Sequence, residues 1–176
     1  MTLNPAAVVV FGLGLLTGHM LQRPAVSAAG QGQSGRTADL AAIEKVRKQD
    51  IAATVARDPV ALTDLWTEDA IRIGFGAPAE IGQQAIRSSN ERQTADRAFK
   101  VLSYVPETKD FAFLDGGWAV EWRTFTASYV ESAGGDAKHL RGTVLMVLKR
   151  LPDGSWKCFR GMGGVEPGAA SRAGGL

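Results

Sequence analysis

The amino-acid sequence predicts an α+β fold in which N-terminal helices pack on a curved, mainly antiparallel sheet, preceded by one transmembrane helix. Three observations support this fold class. Apolar residues recur at helical spacing between residues 37 and 97, and from Phe99 onward they alternate at period two between turn residues. An uncharged apolar stretch precedes both regions. Helices early in a chain and antiparallel strands late are typical of α+β domains.

Length and composition are consistent with one folded domain that has extensions at both ends. The chain has 176 residues, of which 45% are apolar and 22% charged, and this excludes wholesale disorder and a polytopic membrane protein. The formal net charge of +2 is too small to indicate nucleic acid as a partner. The sequence predicts the domain over residues 37–163, a flexible linker over 25–36, and a Gly-rich tail over 164–176 that would need a partner surface to become ordered.

Residues 1–24 are predicted to be a transmembrane anchor or an uncleaved signal-like helix. The 18 residues from Pro5 to Gln22 carry no charge and rise roughly 27 Å as a helix, enough to cross a hydrocarbon layer. Gly14 and Gly18 have the GxxxG spacing that lets another transmembrane helix approach closely. The alternative is a cleaved secretory signal, since residues 26–28 read small-x-small, although no Lys or Arg precedes the apolar run.

The predicted membrane helix also raises questions of ligation and orientation. His19 is an ionisable residue in an apolar helix, where it could contact a haem or pigment metal, but interfacial water or a partner carbonyl is the favoured contact. Arg23 and Arg36 favour keeping the carboxyl side inside the cell. The export-like Ala, Ser and Gly stretch favours the opposite orientation, and we expect a membrane-anchored chain with a periplasmic domain.

Three helices are predicted in the first half of the domain. Thr37 caps the first, and its apolar residues lie mostly on one face. Asp58 and Pro59 open a short second helix that ends at residues 68–69. A strand over residues 70–75 follows, and the third helix covers residues 82–97.

The second half of the domain is predicted to consist of strands. They cover residues 99–105, 109–114, 118–130, 140–150 and 155–161. Turn residues separate them, at Pro106 and in the Gly-rich segments 115–117, 133–136 and 152–154. Together with the helices, these strands give the helix-on-sheet arrangement expected for the domain.

Four segments resemble a known family. Residues 57–70 (RDPVALTDLWTEDA), 81–86 (IGQQAI), 117–120 (GWAV) and 152–157 (PDGSWK) are together similar to the SnoaL-like branch of the nuclear transport factor 2-like superfamily. The resemblance implies a cone-shaped α+β barrel whose sheet encloses a pocket. The superfamily includes isomerases, dehydratases, cyclases and non-catalytic binding or assembly modules, so the fold does not define an activity. Gly161 departs from the family pattern, because relatives often carry an acidic residue there.

Acid–base enzymes of this superfamily place ionisable groups on the inner surface of the sheet, where burial moves their pKa values. The weak catalytic candidates in this sequence are Asp50, Tyr104, Glu121 and His139. Further polar residues of the same region are Arg123, Arg141, Cys158 and Arg160. Strand alternation places Glu121 and Arg123 on one face but does not show which face lines the cone.

Each catalytic candidate also has a structural interpretation, which the sequence favours. Glu121 and Arg123 are expected to form a surface ion pair. Asp50 is expected at a helix boundary, paired with Lys45 or Arg47, and His139 is expected to face solvent. Cys158 is expected to be a small core residue. The residues predicted to line a pocket are Trp66, Trp118 and Trp122.

The sequence predicts no metal site and no cofactor. Cys158 is the single cysteine, and the two histidines, His19 and His139, lie in different segments, so no thiolate or multi-histidine site can be drawn. Nucleotide-binding Gly-rich motifs and a nucleophile elbow are absent from the sequence.

The favoured functional hypothesis is a membrane-anchored, non-catalytic SnoaL-like accessory or stabilising subunit of a larger membrane protein complex, for example a photosynthetic or respiratory one. Its partners would be other membrane-protein subunits, contacted through the N-terminal helix and the C-terminal tail. Two alternatives stay open. The cone could act as an isomerase, dehydratase or hydrolase on a small apolar molecule, or it could bind such a ligand without chemistry.

Overall fold

The computed structural model describes the backbone of residues 28–166 and 171–172, and the side chains of residues 34–166. The predicted membrane helix, with Gly14, Gly18 and His19, lies outside the described residues. Among the helices of the described part of the chain, none has an apolar stretch long enough to cross a membrane.

Three helices precede most of a seven-stranded sheet. The helices are α1 (Ala28–Ala56), α2 (Pro59–Asp64) and α3 (Gln83–Thr94). The strands are β1 (Trp66–Gly74), β2 (Glu80–Ile81), β3 (Lys100–Leu114), β4 (Trp118–Val130), β5 (Lys138–Arg150), β6 (Trp156–Val165) and β7 (Ser171–Arg172). The strand order is β2-β1-β6-β5-β4-β3, and β7 pairs with β5. Only the β1–β6 pair is parallel among the described pairs, so the α+β fold with a mainly antiparallel sheet is confirmed.

The first helix begins earlier than predicted. Helix α1 starts at Ala28, so most of the predicted linker, residues 25–36, is helical backbone rather than a tether. Residues 34–38 of this extension are exposed, while Ile43 and Val46 of the same helix are buried in the core. A nucleated helix adds each further residue at small cost, which explains how the packed half extends into a polar segment that is free of proline.

The second helix ends sooner than predicted, at Asp64 rather than at residues 68–69. Its start is as expected, because Asp58 Oδ1 accepts hydrogen bonds from the backbone N–H of Val60 (2.9 Å) and Ala61 (3.0 Å) and Pro59 follows the cap. Its end is set by the sheet. The backbone N–H of Cys158 donates to the Leu65 carbonyl at 2.8 Å, which draws the chain into β1 directly after α2.

Strand β3 is continuous through Pro106, where the sequence predicts a break. The strand lies at the edge of the sheet, and an edge position leaves one side of the strand without a partner that would need the missing proline N–H. At the other end of the domain, β6 runs to Val165, and β7 pairs with the start of β5. Part of the predicted Gly-rich tail, residues 164–176, therefore belongs to the sheet.

The core lies between α1 and α3 and the concave face of the sheet. Its members, all less than one tenth exposed, include Ile43, Leu65, Ile86, Ala119, Leu148 and Trp156. The helices cover one part of this face, and the other part forms the wall of a cavity.

Candidate functional site

A cavity of about 480 Å³ lies against the inward surfaces of β3 to β6. Its lining is largely apolar, and five aromatic side chains form much of it: Trp66, Phe99, Tyr104, Phe125 and Tyr129. Tyr104 contacts Phe125 with ring centroids 5.5 Å apart, and Phe99 stacks on Tyr129 at 5.0 Å. A concave, mostly apolar surface of this volume with a few polar groups is typical of small-molecule sites.

A glycine makes room for the indole of Trp66. A Cβ atom built on Gly161 would lie 2.7 Å from the Cη2 atom of the Trp66 ring, closer than real Cβ contacts allow. Gly161 therefore allows the Trp66 indole to lie against β6.

A cluster of charged side chains lies beside the cavity, between α1 and β4. Arg123 Nη1 is 3.2 Å from Asp50 Oδ2, and Arg123 Nε is 3.2 Å from Glu121 Oε1. On the other side, Arg47 donates to Glu121 Oε2 from both Nε (2.9 Å) and Nη2 (2.7 Å). Two carboxylates and two guanidinium groups thus alternate along one chain of contacts.

The centre of this charged cluster is buried, and the cluster is electrically balanced. Glu121 is 1% exposed and Arg123 is 4% exposed. Burying unpaired charges would cost several kcal/mol each, so the alternation of acid and base is what allows four ionisable groups to occupy this position. The contacts of Arg123 are ion pairs rather than aligned hydrogen bonds, since Arg123 Nε and Asp50 Oδ2 have no hydrogen-bond partner in the described chain.

The surroundings of Asp50 shift its acidity and that of Tyr104. Burial raises the pKa of Asp50, the neighbouring charge of Glu121 adds to this, and Arg123 opposes it without cancelling it. Burial also raises the pKa of Tyr104, and the negative charge of Asp50 raises it further. The interaction between the two side chains opposes the rise in the pKa of Asp50 and adds to the rise in the pKa of Tyr104. Tyr104 is therefore a protonated phenol at neutral pH, held against a carboxylate that binds a proton more readily than usual.

A second polar group lies where β1 and β2 meet the cavity. Arg72 Nε donates to Glu80 Oε2, and Arg72 Nη1 donates to Asn90 Oδ1 at 2.9 Å. Asn90 is itself fixed by a hydrogen bond to Thr63 Oγ1 at 3.1 Å. The guanidinium carbon of Arg72 lies 5.9 Å from the centre of the Trp66 ring, and Arg72 Nη2 is buried without a hydrogen-bond partner in the described chain.

The structure brings together three of the four weak catalytic candidates. Asp50, Tyr104 and Glu121 lie in or beside the charged cluster, while His139 is exposed at the start of β5. Two structural expectations are wrong. Glu121 and Arg123 form a buried pair rather than a surface one, and Asp50 pairs with Arg123 rather than with Lys45 or Arg47. The reason is that α1 crosses the inward face of this part of the sheet, so both elements direct their charges towards each other.

Of the three tryptophans predicted to line a pocket, one does so and two do not. Trp66 lines the cavity, as predicted. The prediction that Trp118 and Trp122 line the pocket is wrong, because alternation along β4 places them on the face opposite to Glu121 and Arg123. Trp118 contacts Phe159 there with ring centroids 4.8 Å apart, and Trp122 is 47% exposed.

Other predicted residues lie away from the cavity. Arg141 is exposed and pairs with Glu166, and Arg160 donates to the Asp69 carbonyl. Cys158 is buried in the core, where burial raises the pKa of its thiol. Within residues 34–166, no group of three acidic, histidine or cysteine side chains is placed to hold a metal ion. The expectation that the protein uses no cofactor stays a prediction.

Sequence reasoning missed Arg72 and Glu80, and it named Arg47 only as a possible partner of Asp50 rather than of Glu121. Arg47 belongs to a helix rich in charge, and nothing in its spacing distinguishes it from Lys45 or Lys48. Arg72 and Glu80 face each other only because β1 and β2 pair in that register, and the two-residue strand β2 has no sequence signal of its own. Ala119 and Ala127 lie on the same face of β4 as Glu121. Their small size was the one sequence signal that other elements pack closely against this face.

Comparison with solved structures identifies proteins of similar fold. No family model matches the sequence, and no curated protein matches it. Among solved structures, a ketosteroid isomerase-like protein from Erwinia carotovora atroseptica SCRI1043 superposes with a TM-score of 0.63 at 20% identity, covering 72% of this chain and 95% of that one. A hexachlorocyclohexane dehydrochlorinase (LinA-type3) from Novosphingobium barchaimii LL02 gives 0.63 at 16% identity, with coverage of 82% and 96%.

A third structure names the fold itself. An NTF2-like protein with a cystatin-like fold from Novosphingobium aromaticivorans superposes with a TM-score of 0.61 at 16% identity, covering 82% of this chain and 93% of that one. The protein therefore has the nuclear transport factor 2-like cone fold, as the four sequence motifs predict. Similarity at these identities establishes the fold alone.

Proposed function

We propose that the cone binds a small, largely apolar organic molecule and performs acid–base chemistry on it through Tyr104 and Asp50. The observation that carries this proposal is the Asp50–Tyr104 pair, a buried carboxylate of raised pKa behind a phenol that lines an aromatic cavity. Carboxylates and phenols whose pKa values are shifted by burial are typical of catalytic acids and bases. The structural neighbours named as an isomerase-like protein and a dehydrochlorinase support this interpretation over that of an accessory subunit.

The proposed mechanism is a two-group proton relay. The Tyr104 oxygen takes a proton from the bound molecule while the phenolic proton moves to the Asp50 carboxylate, so no net charge is created on the phenol. Arg123 holds Asp50 in place from 3.2 Å, Glu121 holds Arg123, and Arg47 in turn holds Glu121. In an isomerisation, Asp50 and Tyr104 return the proton to a different atom of the ligand. In an elimination, the leaving group departs as an anion with the electron pair of its bond, and the proton passes from Asp50 to solvent. Removal of a proton from the ligand is the first step in either reaction class.

Arg72 gives the ligand a second polar contact. Its Nη2 atom has no partner in the described chain, whereas Nε and Nη1 are engaged by Glu80 and Asn90. A buried donor without an acceptor is costly, and an electronegative atom of the ligand would satisfy it. The preferred ligand is therefore apolar with one hydrogen-bond acceptor, and Arg72 orients it against Tyr104.

The test is a panel of small apolar ketones and chlorinated hydrocarbons, assayed for binding by tryptophan fluorescence and for turnover by proton exchange or chloride release. We expect Tyr104→Phe and Asp50→Asn to lower turnover by about 100-fold or more while binding changes by only a few fold. Tyr129→Phe is the matched control, since it removes the hydroxyl of another cavity tyrosine. We expect it to retain turnover.

Two results would contradict the proposal in different ways. Binding without any turnover, equal in wild type and Tyr104→Phe, would leave a ligand-binding module without chemistry. No binding by any member of the panel would remove the cavity from consideration. The membrane anchor over residues 1–24, the periplasmic location and the partnership with other membrane subunits stay predictions, tested by extracting the full chain from membranes and sizing the released particle in detergent.

A further inference from the structure

Among the residues that the structure describes, the lining of the cavity carries one cation and one anion, and the two form a pair. They are Arg72 on β1 and Glu80 on β2. The two residues are direct cross-strand partners, and Arg72 Nε donates to Glu80 Oε2. Both side chains are largely buried, at 24% and 22% exposed. The cavity wall at this point is therefore polar but has no net charge.

Glu80 is an anion at neutral pH. Burial raises the pKa of its carboxyl group, but hydrogen bonds from Arg72 and Ser89 and the charges of Arg72 and Arg92 lower it by more, so that the pKa lies below the usual 4.5. Arg92 is exposed on α3, where solvent screens its charge, whereas Arg72 contacts the carboxylate directly. Arg72 is thus the cation that Glu80 neutralises.

The other contacts of Arg72 leave one donor for a ligand. Arg72 Nη1 donates to Asn90 Oδ1 at 2.9 Å, and Asn90 Nδ2 donates to Thr63 Oγ1 at 3.1 Å. Thr63 and Asn90 are almost completely buried, at 0% and 2% exposed, so they hold the guanidinium in one position. Arg72 Nη2 is buried without a partner in the described chain. An acceptor on the ligand therefore meets a fixed donor that belongs to a neutral ion pair.

We propose that Glu80 is a specificity-determining residue, which makes the cavity select neutral hydrogen-bond acceptors such as a ketone oxygen and reject carboxylates of the same shape. The inference rests on the proposed function, because it concerns the ligand of the same cavity. A carboxylate that enters the cavity loses its hydration and gains a donor whose charge Glu80 already cancels. A neutral carbonyl oxygen gives up less hydration and gains the same donor. Without Glu80, the Arg72 guanidinium would instead favour a carboxylate through charge-assisted hydrogen bonds.

The charged cluster between α1 and β4 does not alter this balance. It consists of two acids and two bases in contact with one another: Arg47, Asp50, Glu121 and Arg123. The side chain next to this cluster that lines the cavity is the Tyr104 phenol, which is uncharged at neutral pH. A ligand anion would therefore find no uncompensated cation in the described lining of the cavity.

The test compares two ligands of nearly the same shape, acetophenone and benzoate, by equilibrium dialysis against the full chain at pH 7. The quantity compared is the ratio of the benzoate Kd to the acetophenone Kd. We expect a ratio of about 100 or more in wild type and a fall of about tenfold or more in Glu80→Gln, because the glutamine leaves Arg72 as a net cation. Glu107→Gln is the matched control. It removes an exposed acid that pairs with Lys109, and we expect the ratio to stay within about twofold of wild type.

Two further variants complete a charge cycle at the pair. Arg72→Gln leaves Glu80 as a net anion, and we expect the ratio to rise about tenfold or more. The double variant Arg72→Gln, Glu80→Gln is neutral again, and we expect its ratio to lie within about threefold of wild type. A purely structural effect of these substitutions would change both Kd values alike, whereas the proposal requires the ratio to follow the charge of the pair.

A ratio that does not change in Glu80→Gln would overturn the inference, and so would a wild-type ratio near one. Either result would leave the proposed function standing, because acetophenone would still bind. If Glu80→Gln does not fold, a ratio in Arg72→Gln that is no higher than in wild type overturns the inference in the same way. If wild type bound neither ligand, the proposed function and this inference would fail together.

Discussion

The two faces of β4 reverse the usual distribution of residue types. On the inward face, Glu121 and Arg123 are almost completely buried, while Trp122 between them points outward and is nearly half exposed. Charged residues are normally the exposed ones and large aromatic residues the buried ones. The difference shows that a residue's neighbours across the sheet, rather than its own polarity, determine which of its two possible positions is favourable.

The inward charges are accommodated by helix α1. Arg47 and Asp50 lie close to one turn apart on α1, and they meet Glu121 and Arg123, which lie two residues apart on β4. Each charge therefore has an opposite charge within ion-pair distance. The outward tryptophan has no such complement in the described chain beyond the hydrogen bond from its Nε1 to Thr143 Oγ1 (2.8 Å).

The largest effect is expected when one member of the inward cluster is removed. Arg123→Met leaves Asp50 and Glu121 buried without their shared cation, and breaking a buried pair in this way costs about 3–5 kcal/mol. We expect that loss in the free energy of unfolding, measured by urea denaturation of the full chain at pH 7. The control is Lys109→Met, which breaks a more exposed pair with Glu107 and should cost less than about 1 kcal/mol.

A double variant makes the cause explicit. Adding Asp50→Asn to Arg123→Met removes the carboxylate that has lost its guanidinium partner, while Glu121 keeps its hydrogen bonds from Arg47, so we expect the double variant to recover part of the lost stability. If Arg123→Met costs no more than Lys109→Met, the inward cluster does not carry the energetic role that its burial indicates.

A smaller loss of stability is expected when Gly161 on β6 is enlarged. Gly161 lies on the inward face and Met162 on the outward one, and Gly161→Ala would place a methyl group 2.7 Å from the Trp66 ring. Overpacking of this kind costs about 1–3 kcal/mol, and a shifted indole would also change ligand binding in the cavity. Gly74→Ala is the control, because its nearest neighbour, Ala77 Cβ, is at an ordinary 3.7 Å. Equal stability of the two variants would show that Trp66 moves at no cost.

Much of the fold could be predicted from the sequence because its signals are local. Strand β4 has the predicted bounds, since Gly117 and a polar turn flank a long alternating run. The start of α2 follows from Asp58 and Pro59 in the same way. The length of α1 and the continuity of β3 through Pro106 were missed, because they depend on helix propagation and on the position of the strand in the sheet.

The candidate site depends more on long-range contacts. Alternation along β4 groups Glu121 with Arg123, but only the crossing of α1 shows that this face is buried. Asp50 and Arg123 are 73 positions apart in the sequence, and no local spacing predicts that they meet. The same holds for Arg72 and Asn90, which come together through the packing of α3 on β1.

The smallest expected effect concerns the pH dependence of stability, and it separates the inward face from the protein surface. The folded-state pKa of Asp50 is raised above its usual 3.8, mainly by burial, so the folded state holds a proton at this site that the unfolded state has already released. Stability associated with Asp50 is therefore present below about pH 4 and lost as the pH rises through the raised value. Asp50→Asn removes this dependence. We expect the free energy of unfolding of this variant to rise relative to that of wild type as the pH rises over this range. The difference between the two should increase by at most about 1.4 kcal/mol per pH unit.

An exposed aspartate supplies the opposite sign as a control. The hydrogen bonds from Ser155 lower the pKa of Asp153, so its contribution to stability appears as the pH rises and is lost on acidification. Asp153→Asn should consequently lose stability relative to wild type as the pH rises, whereas Asp50→Asn gains it. Urea denaturation of the three proteins between pH 3 and pH 7 measures both slopes. Parallel curves for wild type and Asp50→Asn would mean that Arg123 offsets burial completely, and the proton relay through Tyr104 would then lack its acceptor of raised pKa.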